Sequence, residues 1–256
     1  MGAFDGQLCA AAALKLMADD DHQTGLIMSR REALALLGSA GVTLLAARAS
    51  SFAAEPALSC VASPEQTEGP YFVYERLNRA DIRSDPADGS MREGLPLTLS
   101  LVISSVAAGK CAPLAGATVD IWHCDAAGAY SDARDPHFNT IGKKFLRGYQ
   151  VTDAAGSVGF TTIYPGWYDG RTVHIHFKVR GAAASKRSYE FTSQLYFDDA
   201  FTDRVYTRNS YARRGPRTVR NGKDGIFRDG GSRMILPVVE NDAGYAASFN
   251  VGLRLA

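Results

Sequence analysis

The sequence predicts an all-β domain, an antiparallel β-sandwich with long loops and little helix. Apolar residues recur with period two rather than 3.6 from residue 95 onward. The segments carrying that pattern are short and closely spaced, and glycine-centred turn signals fall between them in place of any ten-residue helical pattern. Leu95, Leu97, Leu99, Leu101 and Ile103 alternate with small or polar residues, the mark of a half-buried strand. Further strands are expected over 117–123, 145–151, 157–163, 173–180 and 190–197, with turns at 125–128, 153–156 and Pro165-Gly166. One helical segment is expected, over 200–213. No internal repeat or domain boundary is visible after residue 60, so residues 54–256 are read as a single domain.

Upstream, residues 28–53 read MSRREALALLGSAGVTLLAARASSFA. The pair Arg30-Arg31, an apolar run over 33–47 and the small-residue sequence Ser51-Phe52-Ala53 follow the order of an export signal cleaved after Ala53. Ser29-Arg30-Arg31 with Leu34 points to the twin-arginine route. The apolar run contains Gly38 and Gly41 and falls short of the roughly 20 residues that span a bilayer, so no membrane span is expected in the mature form. A packed amphipathic helix is the other reading of this segment. Residues 1–27 stand as an extension, or as sequence ahead of a start at Met28. Export delivers the domain to a periplasmic or extracellular, oxidising compartment, where one disulfide among Cys60, Cys111 and Cys124 is expected. Cys111 and Cys124 flank a loop-plus-strand segment and are the first choice; Cys60 with either remains open.

Composition excludes several functions. The 28 Lys and Arg are matched by 27 Asp and Glu, leaving no electrostatic footprint for nucleic acid or an anionic membrane. Four cysteines without a CxxC pair exclude a disulfide-built mini-protein and a paired-cysteine zinc site. No GxSxG, HExxH, Walker or dinucleotide fingerprint occurs.

The chemistry concentrates in Val173-His174-Ile175-His176-Phe177-Lys178-Val179. On a strand, His174 and His176 share one face while Val173, Ile175, Phe177 and Val179 turn to the core. The two histidine Cα atoms then lie roughly 6.5–7 Å apart, so both imidazoles can meet on one metal. By itself such a pair is as often plain surface. Its surroundings add weight: Arg171 lies just upstream, and the Gly/Pro-bounded loop Tyr164-Pro165-Gly166-Trp167-Tyr168 offers a tyrosine as a third ligand. The histidine strand holds no Asp or Glu, so a two-His-one-carboxylate iron site is not locally encoded.

Seven motifs in order carry a resemblance. They are Thr67-Glu68-Gly69-Pro70-Tyr71-Phe72, PLAGATVDIWH over 113–123, Gly128-Ala129-Tyr130-Ser131, Arg147-Gly148-Tyr149-Gln150, Pro165-Gly166-Trp167-Tyr168, RTVHIHF over 171–177, and Gln194-Leu195-Tyr196-Phe197. From about Thr67 to the C-terminus the chain resembles the intradiol ring-cleavage dioxygenases, the non-haem ferric enzymes that include catechol 1,2- and protocatechuate 3,4-dioxygenases. The resemblance implies Fe(III) held by Tyr130, Tyr168, His174 and His176, with Arg171 as the active-site arginine and Gln194 behind the ligands. Many members have a longer stretch between the second tyrosine and the histidines. Here only 169–173 intervene, and Tyr164 is the alternative second tyrosinate.

The resemblance also implies a reaction. A catechol-type substrate binds through both oxygens, Tyr168 is released and takes a substrate proton, and Arg171 stabilises anionic character on the ring. Attack by O2 between the hydroxyl-bearing carbons gives a cis,cis-muconate-type dicarboxylate. Two phenolates suit a ferric ion, whose charge lowers a tyrosine pKa far below its ordinary value. The competing readings are a catalytically silent β-sandwich binding module and a zinc hydrolase built on the HxH pair. Among the remaining residues, His123 and His137 are expected to be structural and Trp122 to pack in the sandwich core. Tyr71 and Phe72 are expected near the pocket entrance. Arg204, Arg208, Arg213, Arg214, Arg217 and Arg220 are read as a solvated face, or alternatively as a surface that steers an acidic aromatic or contacts another subunit. The oligomeric state is not assigned.

Overall fold

In the computed structural model, the strand pattern becomes two sheets packed face to face. The structure describes residues 61–181 and 188–255. The predicted export signal, residues 1–27, Cys9 and Cys60 lie outside the described residues.

The strands are β1 (Pro96–Ala107), β2 (Lys110–Pro113), β3 (Thr118–Trp122), β4 (Arg134–Asp135), β5 (Phe138–Asn139), β6 (Arg147–Val151), β7 (Ser157–Ile163), β8 (His174–Arg180), β9 (Glu190–Tyr196), β10 (Val239–Asn241) and β11 (Gly244–Leu253). The first sheet runs β10-β11-β1-β2, with β7 also paired to β1; the second runs β6-β3-β8-β9; β4 and β5 form a separate hairpin. The helical segment expected over 200–213 is split into α1 (Asp199–Val205) and α2 (Asn209–Ala212), and a third short helix, α3 (Gly225–Arg228), follows. No described helix is long and apolar enough to cross a membrane.

All six strands read from the sequence are present. The all-β sandwich expectation holds with one exception to its antiparallel character, since β11 joins β1 in parallel, Leu97 opposite Tyr245 through Ser105 opposite Leu253. β11 shows no clear alternation because Gly, Ala and Ser interrupt it, and β10, Val239-Glu240-Asn241, is too short to show a period. A parallel neighbour must also arrive by a long crossover, which local pattern does not reveal.

The core lies between the sheets. Leu97, Leu99, Leu101 and Ile103 of β1 meet Val119 and Ile121 of β3 and Ile175, Phe177 and Val179 of β8, all essentially excluded from solvent. Truncating one such leucine to alanine typically costs about 2–5 kcal/mol, so this layer holds β8 rigidly. A second apolar cluster, on the other face of the β3–β8 sheet, contains Trp122, Cys124, Tyr130 and Ala133, with Tyr71, Phe72, Phe138 and Tyr168 against it. Trp122 therefore does not pack in the sandwich core as expected. Its strand parity turns it outward, opposite His176, and its indole stacks on that imidazole with ring centroids 4.9 Å apart.

The disulfide expectation is also corrected. Cys111 is disulfide-bonded, whereas Cys124 is a buried free thiol that donates to the Gly166 carbonyl at 3.4 Å. The pair Cys111–Cys124 is not made. Cys124 directly follows β3 and faces the second cluster, away from the β1–β2 edge that carries Cys111.

Candidate metal centre

Strand register brings the first part of the site together. β8 lies between β3 and β9, so the outward row reads Trp122, His176, Gln194, and the next places His174 opposite Tyr196. The histidines share a face as predicted, but that face is covered: His174 is 2% and His176 1% exposed. Loops crossing from the ends of β3 and β7 supply the cover.

The first loop delivers Tyr130. Asp125 ends β3's exit turn by accepting from the Ala127 and Ala129 amides at 3.0 and 2.9 Å, and its carbonyl accepts from Gly128 at 2.9 Å. The second loop delivers Tyr168. Tyr206 donates to the Pro165 carbonyl at 2.9 Å, and the Gly166 amide donates to the Asp125 carbonyl at 3.1 Å. Both loops meet backbone to backbone. A Cβ on Gly128 would stand 2.2 Å from the Trp167 carbonyl oxygen, and one on Gly166 would stand 2.4 Å from that of Asp125. Arg147, buried at the start of β6, donates to the Ser131 hydroxyl and carbonyl and to the Tyr71 carbonyl, tying the Tyr130 loop to the segment before β1.

Four donor atoms converge. His174 Nε2 lies 2.9 Å from His176 Nε2, 3.3 Å from Tyr168 Oη and 3.4 Å from Tyr130 Oη. Two donors each about 2.1 Å from one metal are about 3.0 Å apart at a right angle and about 3.4 Å apart at the tetrahedral angle. The spacing is that of donors around a common ion.

Tautomers agree with this. His174 Nδ1 donates to the Thr172 carbonyl at 2.6 Å, which leaves a lone pair on Nε2. His176 Nδ1 is buried without a partner. If His176 carries its proton there, two Nε2 lone pairs face each other; if it carries it on Nε2, a buried acceptor is left unsatisfied. A cation between the rings relieves the first arrangement. Burial, and then the Arg171 charge, lowers the His174 pKa to about 3, and burial with His174 and Arg171 lowers that of His176 well below its ordinary value. Both are neutral at physiological pH, the form in which an imidazole can ligate a metal. Burial pushes the Tyr168 phenol up to about 12, against the pull of Arg171, and pushes Tyr130 well above its ordinary value. Ionising both phenols requires a strong positive charge, which a trivalent cation supplies. The residues present therefore fit ferric iron. Among the described residues no cluster of three His, Cys, Asp or Glu could hold a metal, so the tyrosines complete the set.

Arg171 is held at the rim. Its Nε donates to Asp224 Oδ2 at 2.8 Å and a terminal nitrogen donates to Gln194 Oε1 at 2.5 Å, while Gln194 Nε2 donates to the Thr67 carbonyl at 2.8 Å. Tyr71 stacks on Tyr130 at 4.4 Å and donates to Asp135 at 2.7 Å; Phe72 lies on Trp122. A cavity of about 470 Å³ opens on this side, lined by Tyr71, Asp135, His137, Phe138, Tyr168, Asp169 and Arg214 among others. A larger one of about 530 Å³, around Met91, Arg92 and Arg213, shares Ala127 and Arg214 with it but touches none of the four donors.

The other expectations sort by position. Tyr164 is excluded as a ligand, since it sits in the sandwich core with its hydroxyl 2.8 Å from Thr202 Oγ1. His137 is exposed at the cavity lip. In the arginine stretch, Arg217 pairs with Asp199 and Asp203, Arg220 with Asp203, and Arg208 with Glu240. Of that stretch only Arg214, stacked on Trp167, lines the cavity beside Tyr168. Arg147 and Asp224 had no role assigned from sequence; a buried arginine opening a strand and a carboxylate in a short polar turn carry no local signal of what they reach.

His123 is structural, bonded to the Cys124 carbonyl at 2.8 Å and Thr162 Oγ1 at 2.7 Å. Burial lowers its pKa to about 4. Below the ordinary value of 6.5 the unfolded chain takes up a proton that the folded one refuses, so stability falls as pH drops from about 6.5 toward 4. Between pH 7 and pH 5 this amounts to about 2 kcal/mol. Urea unfolding at both pH values should show that acid loss shrinking by about this amount in His123→Gln; an unchanged pH difference would refute it.

Comparisons with known proteins bear on the family and the fold. A family model described as "Dioxygenase" matches residues 67–207. An intradiol ring-cleavage dioxygenase from Tetranychus urticae superposes with a TM-score of 0.65 at 30% identity, covering 76% of this chain and 95% of that one. The protocatechuate 3,4-dioxygenase beta chain of Burkholderia cepacia is 30% identical over 136 residues, 49% of this chain and 56% of that protein. Catechol 1,2-dioxygenase 1 of Acinetobacter lwoffii is 26% identical over 166 residues, 54% of this chain and 49% of that protein. The chain thus spans about half the length of these curated relatives. The matched span holds both tyrosines, both histidines, Arg171 and Gln194, and by that match and the shared fold the chain belongs to the intradiol ring-cleavage dioxygenase family.

Proposed function

We propose that this protein is a ferric-iron-dependent dioxygenase that opens a catechol-type aromatic with O2, between the two hydroxyl-bearing carbons, to a cis,cis-muconate-type dicarboxylate. The observation that carries the reading is the convergence of Tyr130, Tyr168 and His176 donors within 2.9–3.4 Å of His174 Nε2, beside a cavity that Tyr168 also lines. Fe(III), which Tyr130, Tyr168, His174 and His176 would hold, would supply Lewis acidity toward the substrate oxygens.

The protein's own groups do the rest. Tyr168 is the phenol suited to act as a base toward substrate, because it borders the cavity whereas Tyr130 is buried beneath Tyr71. Its phenolate oxygen would accept a substrate proton. Arg171 keeps a fixed positive charge, its pKa raised by Tyr168 and Asp224 despite burial, and would stabilise anionic character on a bound ring. Tyr71 and Phe138 offer aromatic walls to a flat substrate.

Ferric-loaded protein should be wine-red from tyrosinate-to-iron charge transfer and should consume one O2 per catechol cleaved, across a panel of catechols. Colourless protein with stoichiometric iron would overturn the proposal. We propose also that residues 28–53 direct export, a reading the Cys111 disulfide supports. N-terminal sequencing of secreted protein should begin at Ala54; a retained 28–53 segment would refute it.

A further inference from the structure

We propose that Asp224, beyond the span matched by the family model, is a positioning residue that sets Arg171 and His174 together through one carboxylate oxygen. The inference rests on the metal site proposed above. Asp224 is fully buried and caps α3 with one oxygen: Oδ1 accepts from the Ile226 and Phe227 amides at 2.8 and 2.9 Å. Its other oxygen serves the site. Oδ2 accepts from Arg171 Nε and from the Thr172 amide, both at 2.8 Å.

Each of those bonds leads on to the metal centre. The first turns the guanidinium so that its terminal nitrogen reaches Gln194 Oε1. The second pins the Thr172 peptide, whose carbonyl accepts from His174 Nδ1 and so fixes the tautomer and aim of the ligating ring. Asn221, three residues earlier, accepts from the Thr172 hydroxyl at 2.6 Å and donates to the Phe197 carbonyl at 2.8 Å, locking the same turn to β9. Burial opposes ionisation of Asp224, but the Phe227 and Thr172 amides and the Arg171 charge outweigh it and hold the carboxyl below its ordinary pKa. The anion is the working form.

Asp224→Asn keeps a capping oxygen but places an amide against Arg171 Nε and the Thr172 N–H, donor against donor. Asp224→Ser keeps a capping hydroxyl and deletes the second acceptor outright, so it stands in if the asparagine variant misfolds. Two readouts test the inference. Ferric-iron affinity, measured by competition with a chelator and independent of turnover, should fall about 10–100-fold in Asp224→Asn while remaining near wild type in Arg171→Gln. In catechol-dependent O2 uptake at saturating iron, the double variant should lose less than the product of the two single losses, because the Arg171 branch of the effect is already lost. Wild-type iron affinity in both Asp224 variants, or fully additive losses in the double variant, would overturn the inference. If wild-type protein binds iron yet turns over no catechol, the proposed reaction fails, and the affinity measurement still decides the role of Asp224.

Discussion

Replacing His174 with alanine should abolish retention of ferric iron and with it both the visible charge-transfer band and catechol-dependent O2 uptake. His174 Nε2 lies within 3.4 Å of each of the other three donor atoms, so its loss removes the donor that adjoins all of them. The fall in iron affinity should exceed the roughly 10–100-fold cost of deleting an outer hydrogen-bond partner, because a ligand itself is removed. Tyr130→Phe should behave similarly, losing one of the two anionic donors that match a trivalent ion. Thermal unfolding separates ligand loss from misfolding. Metal bound only to the folded state raises stability by mass action, so wild type should melt higher with iron than without. His174→Ala should show no such rise while melting near the metal-free wild type, since it removes a 2.9 Å Nε2–Nε2 approach along with the ring. A variant that still melts higher with iron and stays coloured would exclude His174 as a ligand.

Gly128→Ala should cost nearly as much function from a residue with no chemistry of its own. Gly128 has φ +86°, where a Cβ would stand 2.2 Å from the Trp167 carbonyl oxygen. The backbone conformation alone penalises alanine by about 1–2 kcal/mol. The collision adds more, because the neighbour is main chain and cannot rotate aside. Relief requires the two tyrosine-bearing loops to part, carrying Tyr130 and Tyr168 off the histidines. Gly109→Ala is the control: its φ is +76° with nothing within 4 Å of the added Cβ, so it meets the backbone penalty alone. Urea unfolding and chelator competition should show Gly109→Ala mildly destabilised with wild-type iron affinity, and Gly128→Ala more destabilised with iron affinity lost. Equal iron affinity in the two variants would show that the loop contact does not position the tyrosines.

The two variants mark what local sequence could reveal. Alternation places His174 and His176 on one face of β8 from four residues of pattern, and the same rule locates Leu97, Leu99 and Leu101 in the core. It gives the side of a strand, without saying what covers that side. Tyr130 and Tyr168, which arrive on loops outside β8, lie against the histidine rings, and Tyr71 covers those tyrosines. Trp122 was misplaced for this reason: an outward indole is surface on a bare sheet and interior under a covered one. Asp224 went unread because, viewed locally, it is an ordinary helix cap, and its second oxygen meets Arg171 across 53 residues of chain.

By itself, then, the sequence determined the sandwich class, the six strands with clear alternation and the shared face of His174 and His176, because those follow from side-chain parity. Tyr130 with either Tyr168 or Tyr164 was implied only by the resemblance. Tertiary structure alone decided that Tyr168 and not Tyr164 faces the histidines, that Cys124 stays a thiol, that β11 lies parallel to β1, and that Arg171 is steered from the C-terminal segment. Each of these is a long-range approach between segments, set by which surfaces bury together, and no local repeat encodes it.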